Sequence, residues 1–112
     1  MAQDEALAER VRALLADTAD VTEQRMFGGL AFLVRANMAV AASGQGGLLV
    51  RIDPAEGEEL CSSHGVEPMQ MRGRPLRGWV RVDPTVVGSA EALETWVRRG
   101  TAYAGSLPAK SR

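Results

Sequence analysis

The sequence predicts an α+β fold, a two-layer domain in which helices lie on a mainly antiparallel sheet. Three observations predict it. Residues 26–52 contain three short apolar runs separated by Arg35-Ala36-Asn37 and by Ser43-Gly44-Gln45-Gly46-Gly47. Runs of that length between such punctuation read as strands joined by tight connections. Each run has one wholly apolar face and one mixed face, as expected for a sheet with helices on one side. Both ends of the chain carry apolar residues at helical spacing. The expected order is helix, three or four strands, helix, two strands, helix.

Taken in order, residues 4–16 form the first predicted helix, with Leu7, Val11, Leu14 and Leu15 on one stripe. Asp17 to Asp20 end it with short polar side chains that compete for backbone hydrogen bonds. Residues 21–27 extend as an edge or lead-in strand. Gly28-Gly29 permits a bend or bulge before the next run. There, Leu30, Phe32 and Val34 share one face, Ala31, Leu33 and Arg35 the other. Met38, Val40 and Ala42 align the same way in the following run. After the glycine loop, Leu48, Val50 and Ile52 oppose Leu49, Arg51 and Asp53.

Asp53-Pro54-Ala55-Glu56 is the clearest local signal, an N-cap with proline in the first turn and a glutamate placed for reciprocal capping. This helix is expected to reach Ser62 or Ser63, with a thin apolar face of Leu60 and Cys61. Residues 67–72 form a short strand, residues 73–78 turn the chain, and Trp79 to Val82 form the last strand. Asp83-Pro84 starts a short turn through Val87. Ser89 caps the final helix, whose stripe is Leu93, Trp96, Val97, Gly100 and Ala104, with Glu94 and Arg98 paired on its exposed side. The predicted domain spans 1–105, and residues 106–112 form a flexible tail.

At 112 residues the chain suits one modest core. A single cysteine excludes an internal disulfide framework. The N-terminus carries acidic residues before its first arginine and no long apolar segment, so neither a signal peptide nor a membrane span is expected. The expected location is cytoplasmic. A net charge of -1 provides no global attraction to polyanions. The charges are nevertheless segregated. Glu56, Glu58 and Glu59 crowd the middle, while Arg72, Arg74, Arg77 and Arg81 follow with no acid among them.

Met26-Phe27-Gly28-Gly29, then Leu48 to Asp53, then Met71-Arg72-Gly73-Arg74-Pro75, then a closing helix with Leu93 and Trp96, resemble the N-terminal domain family of the competence regulator TfoX. The resemblance covers roughly residues 10 to 104. It implies a small domain like the secretion chaperones, an antiparallel sheet beside helices. It brings no catalytic residue set. That regulator also has a C-terminal helical domain, which this sequence is expected to lack.

Cys61 and His64 are the only residues of their kinds and fall short of the three or four ligands of a zinc site. Their spacing permits contact without supplying an orienting group or an acyl-stabilising site. Gly44-Gln45-Gly46-Gly47 lacks the lysine and the strand-to-helix context of a phosphate loop and reads as a hairpin connection. The expectation is therefore no catalytic residue, no metal, no cofactor and no small-molecule substrate.

Two surfaces remain. Arg72, Arg74 and Arg77 surround a strand connection, where they solvate the turn, pair with the glutamates of 56–59, or contact an anion or nucleic acid. The second is the mixed sheet face, with Leu33, Leu49 and Trp79 beside Arg35, Arg51 and Arg81. Apolar anchors beside arginines are common in interfaces. This face is expected to form a homodimer contact or receive a protein partner. The alternatives are arginine stems covering the apolar residues, or a helix folded over them. The favoured function is a non-catalytic regulatory or interaction module, ahead of a weak nucleic-acid-binding accessory domain.

Overall fold

The computed structural model describes residues 2–26, 29–43, 46–71 and 73–107. Among the described residues six strands form one sheet: β1 (Val21–Met26), β2 (Gly29–Val34), β3 (Asn37–Ala42), β4 (Leu48–Arg51), β5 (Val66–Met71) and β6 (Arg74–Val82). Their spatial order is β1-β2-β3-β4-β6-β5, and every neighbouring pair is antiparallel. The sheet is thus a meander as far as β4. The chain then crosses to the far edge, lays down β5, and returns with β6 between β4 and β5.

Helix α1 (Ala2–Leu14) precedes the sheet, α2 (Gly57–Cys61) lies in the crossover, α3 (Pro84–Val87) follows β6, and α4 (Ala90–Ser106) closes the fold. Asp53 caps the crossover as its sequence predicts, accepting the Ala55 N–H at 3.0 Å. A 3-10 turn over Pro54–Glu56 comes first, and α2 then ends at Cys61, before the expected limit. Asp83 repeats the device for α3, with the Thr85 N–H donating to its carboxylate at 2.9 Å. Ser89 caps α4 through the Ala92 N–H.

The main core lies between the sheet and α1, α3 and α4. It contains Leu7, Val11, Leu15, Phe32, Val40, Leu48, Val50, Ile52, Val80, Val82, Leu93, Trp96 and Val97, all buried. All five stripe positions of α4 are buried, including Gly100 and Ala104. Full burial of each large aliphatic side chain contributes about 1.5 to 3 kcal/mol, the main force opposing chain entropy.

Gly100 sets how near α4 can come. A Cβ there would stand 2.6 Å from the Ala39 carbonyl oxygen and 2.7 Å from Val40 Cγ1. Ala39 is the extra residue of a β-bulge: Leu33 faces Met38, but Phe32 faces Val40. The helix seats directly on that bulge.

The bulge corrects the face assignment of β3. Met38 lies with Leu33 on the side away from the helices, while Val40 and Ala42 keep to the helix side. A second correction concerns residues 73–78. The expected turn is instead largely strand: residues 74–78 are the first part of β6, which begins at Arg74. Gly78 absorbs the irregularity at φ +85°, and its carbonyl accepts the Ile52 N–H at 2.9 Å.

The β2–β3 connection is a two-residue turn in which both Arg35 (φ +52°) and Ala36 (φ +70°) occupy left-handed backbone. Such turns match the twist of the strands they join but suit asparagine and glycine better than residues carrying an ordinary Cβ.

Two stability predictions follow from this geometry. Gly100→Ala should lower unfolding free energy by about 1 to 2 kcal/mol despite alanine's better helix propensity, because the clash is with backbone. Gly105→Ala in the same helix, with Val34 Cγ1 at 4.0 Å, should be neutral or gain up to about 1 kcal/mol. Urea unfolding of the pair checks the opposite signs; a Gly100→Ala protein as stable as wild type would show that α4 can move off β3 freely. Ala36→Gly should gain about 0.5 to 1 kcal/mol by relieving left-handed strain. A lowered urea midpoint at unchanged slope would contradict that assignment.

Candidate functional site: the helix-free face of the sheet

The pleat alternates side chains, so the strands that bury one row under the helices present a second row on the other side. Ala31, Ala41, Leu49, Met69 and Trp79 form a buried cluster there, with Leu33, Met38 and Leu76 half-buried around it. No helical residue belongs to this cluster among the described residues. The strand register explains the grouping. Leu49 stands opposite Arg81 and Arg51 opposite Trp79 across β4 and β6, while Ala31 stands opposite Ala41 across β2 and β3.

Of the six residues expected to share this surface, Leu33, Leu49 and Trp79 meet in the cluster, and Arg51 and Arg81 occupy cross-strand positions beside them. Arg35 does not share their strand face. It sits at the β2–β3 turn, exposed. Leu49 is only 3% exposed and Trp79 9%, so both are interior to the face rather than presented on it. What remains accessible is a rim of Leu33, Met38 and Leu76 with Arg51 and Arg81. Glu67 faces Arg81 from β5.

Met38 and Leu76 were not legible as parts of this surface. The signal for Met38 is the two-residue turn itself: pairing Val34 with Asn37 forces Leu33 opposite Met38, and directly opposed residues share a face. Leu76 was hidden in a segment whose glycines and proline suggest a turn. Of the basic cluster, Arg74 is exposed at the start of β6. Arg72 and the side chain of Arg77 lie outside the described residues. Glu56, one of the acids weighed as a partner for that cluster, lies 3.5 Å from Arg99 of α4, whose guanidinium also lies 5.4 Å from the centre of the Trp96 ring.

Cys61 is half-buried at the end of α2 and His64 is exposed. Burial, aided by the Glu67 charge, pushes the Cys61 thiol upward and keeps it protonated at neutral pH. Cys61 lines an open cleft of about 660 Å³ between α2 and the β5–β6 hairpin, alongside Ile52, Pro54, Pro68, Pro75 and Trp79. Among the described residues no group of three or more His, Cys, Asp or Glu could hold a metal. No described helix is long and apolar enough to cross a membrane.

The electrostatic contact that ties helix to sheet is Arg12. It donates to both carboxylate oxygens of Glu23, at 2.7 and 2.9 Å, and lies 2.8 Å from Glu9. The Arg12 bond holds the Glu23 carboxyl below the usual range and raises the guanidinium in turn. The Thr85 hydroxyl, then its N–H, do the same for Asp83.

The model of the TfoX N-terminal domain matches residues 13–104. The chain belongs to the TfoX N-terminal domain family. That match covers the end of α1, the whole sheet and most of α4. Among solved structures, the fold is similar to that of Deinococcus radiodurans protein DR2400, described by the family-model domain DUF419. The two share 21% identity and a TM-score of 0.68, over 88% of this chain and 78% of that one. At that identity the likeness concerns the fold of this TfoX-type domain and nothing finer. None of the curated proteins matches the sequence.

The depressed carboxyls give a signed pH dependence. Where the unfolded chain binds protons that the folded chain excludes, stability rises with pH. The contributions of Glu23 and Asp83 are therefore complete above the ordinary carboxylate range and lost as pH falls through their lowered folded values. Wild type should lose stability between about pH 5 and pH 3. Arg12→Ala should be less stable than wild type at pH 7, with the gap narrowing as acid protonates Glu23. Chemical denaturation at several pH values measures this. A gap that widened toward low pH would reverse the assigned sign.

Proposed function

We propose that this TfoX-type domain is a non-catalytic regulatory module that receives a protein partner on the helix-free face of its sheet. The carrying observation is the second apolar cluster on a side to which no described helix contributes, rimmed by half-buried Leu33, Met38 and Leu76 and by Arg51 and Arg81. Half-buried aliphatic groups still have apolar surface to remove from water on docking, and guanidinium groups supply hydrogen bonds at the margin. The burial of Leu49 and Trp79 assigns them a supporting role beneath the contact. It also weighs against nucleic acid, because an indole 9% exposed offers a base little ring to stack on.

The test uses rim residues, since polar substitution at Leu49 or Trp79 would damage the fold itself. Tagged wild type and a Leu33→Asp, Arg51→Glu variant are compared by cross-linking capture and mass spectrometry. A partner held by wild type should fall by about tenfold or more with the variant while thermal unfolding stays cooperative. Identical capture by both proteins would reject this face. Titration of labelled single-stranded DNA at about 50 and 200 mM salt separates the nucleic-acid reading, which demands steep salt dependence.

A further inference from the structure

β1 closes the sheet opposite β5, and its outer edge pairs with no described strand. The orientation of its backbone follows from one bond. Arg35 donates its N–H to the Asp20 carbonyl at 3.0 Å, and these two residues continue the register in which Val21 faces Val34. Bonded and non-bonded pairs alternate along an antiparallel ladder. Thr22, Gln24 and Met26 therefore turn their backbone groups toward β2, and Val21, Glu23 and Arg25 turn theirs outward. Among the described residues no turn, loop or cap backbone bond engages these outward groups.

The side chains of Glu23 and Arg25 share a face, the one on which Arg12 of α1 grips Glu23. Both are exposed, and Arg25 enters none of the ion pairs among the described residues. We propose that this edge is a self-association surface, on which two copies of the chain pair β1 with β1 antiparallel about a twofold axis at Gln24. In that register Glu23 of each copy faces Arg25 of the other. Because residues 23 and 25 also carry the outward backbone groups, each facing pair exchanges both an N–H···O and an O···H–N bond. The axis stands perpendicular to the sheet, so the helix layers of both copies lie on the same side and the sheet continues through twelve strands.

Charge selects this register over its neighbours. Moving the axis to residue 23 sets Glu23 against Glu23, and moving it to residue 25 sets Arg25 against Arg25. Like charges directly opposed across strands are destabilising, and opposite charges are favourable. Arg12 adds preorganisation. It fixes the Glu23 carboxylate in place and leaves lone pairs for the second copy's Arg25, which reduces the ordering cost of association. The low net charge of -1 adds little repulsion between copies. One strand edge buries less than the roughly 1,200 Å² of a standard interface, so the dimer is weak and concentration-dependent. This surface is separate from the helix-free face and independent of the function proposed for it.

Sedimentation equilibrium over a concentration series up to about 1 mM tests it. The mass of wild type should climb toward twice the monomer. Arg25→Glu sets acid against acid at both symmetric contacts and Glu23→Arg sets base against base, so each alone should associate about tenfold more weakly or worse. Their equimolar mixture restores both opposite-charge pairs and should recover the wild-type mass. Circular dichroism and cooperative unfolding check that each remains folded: Arg25→Glu alters an exposed edge position outside the described ion pairs, whereas Glu23→Arg also gives up the Arg12 contact and should be somewhat less stable. A wild type that stays monomeric throughout overturns the proposal. So does association of Arg25→Glu at the wild-type level, which would move the contact elsewhere. A mixture no heavier than its components overturns the register and the proposal with it.

Discussion

The close seating of α4 on β3 is the contact on which the rest of the packing depends. It needs two things from different parts of the chain, a helix position without a Cβ at Gly100 and a strand that bulges at Ala39 to present its backbone there. With both, the helix stripe of Leu93, Trp96, Val97 and Ala104 reaches the sheet. Interiors pack near crystal density, so half an ångström of separation would forfeit a substantial share of those contacts. The bulge has a consequence on the opposite face too. By inserting one residue it keeps Val40 and Ala42 under the helices while Met38 joins Leu33 outside. One irregularity therefore shapes both the core and the candidate docking surface.

The readable parts of the sequence were those in which the signal is local. The α4 stripe, the caps at Asp53 and Ser89, the turn begun by Asp83-Pro84, and the Glu94–Arg98 pair all depend on residues close in sequence, and each is present. The mainly antiparallel sheet was likewise legible, because the three apolar runs of 26–52 keep their strand spacing, and family membership was legible in the ordered motifs from Met26-Phe27-Gly28-Gly29 to the closing helix. The failures are non-local. The start of β6 reads as a turn because Gly73 precedes it and Pro75 and Gly78 lie within it, yet pairing with β5 and the Ile52–Gly78 bond hold that stretch extended. The Met38 face depends on a register fixed by the preceding turn, with a bulge immediately after it.

The candidate site divides along the same line. Alternation alone correctly separates Leu49 and Trp79 from Val50 and Val80, since β4 and β6 pair without a shift across those positions. It says nothing about how deeply each is covered. Trp79 lies low because its neighbours Leu76 and Met69 arrive from a kinked stretch of β6 and an irregular stretch of β5. Arg35 leaves the face because the strand has already ended in a left-handed turn. Charge pairing is equally non-local: Glu56 has a counter-charge in Arg99 on α4, a helix remote in sequence.

The two edges of the sheet show how differently one chain can treat the same hazard. An open edge presents unpaired backbone groups to any other strand. β5 carries Pro68 within it, and its pairing with β6 is interrupted between Pro68 and Gln70. A missing donor and a break in the ladder both discourage addition of another strand. β1 has neither. Its pairing with β2 is unbroken from Val21 to Met26, so its outer edge is as regular as its inner one. What guards it is charge, and charge is selective where proline is not. Glu23 and Arg25 repel strands of the wrong pattern but match their own sequence read in the opposite direction. A guard of that kind closes the edge to most chains and leaves it open to a second copy of itself.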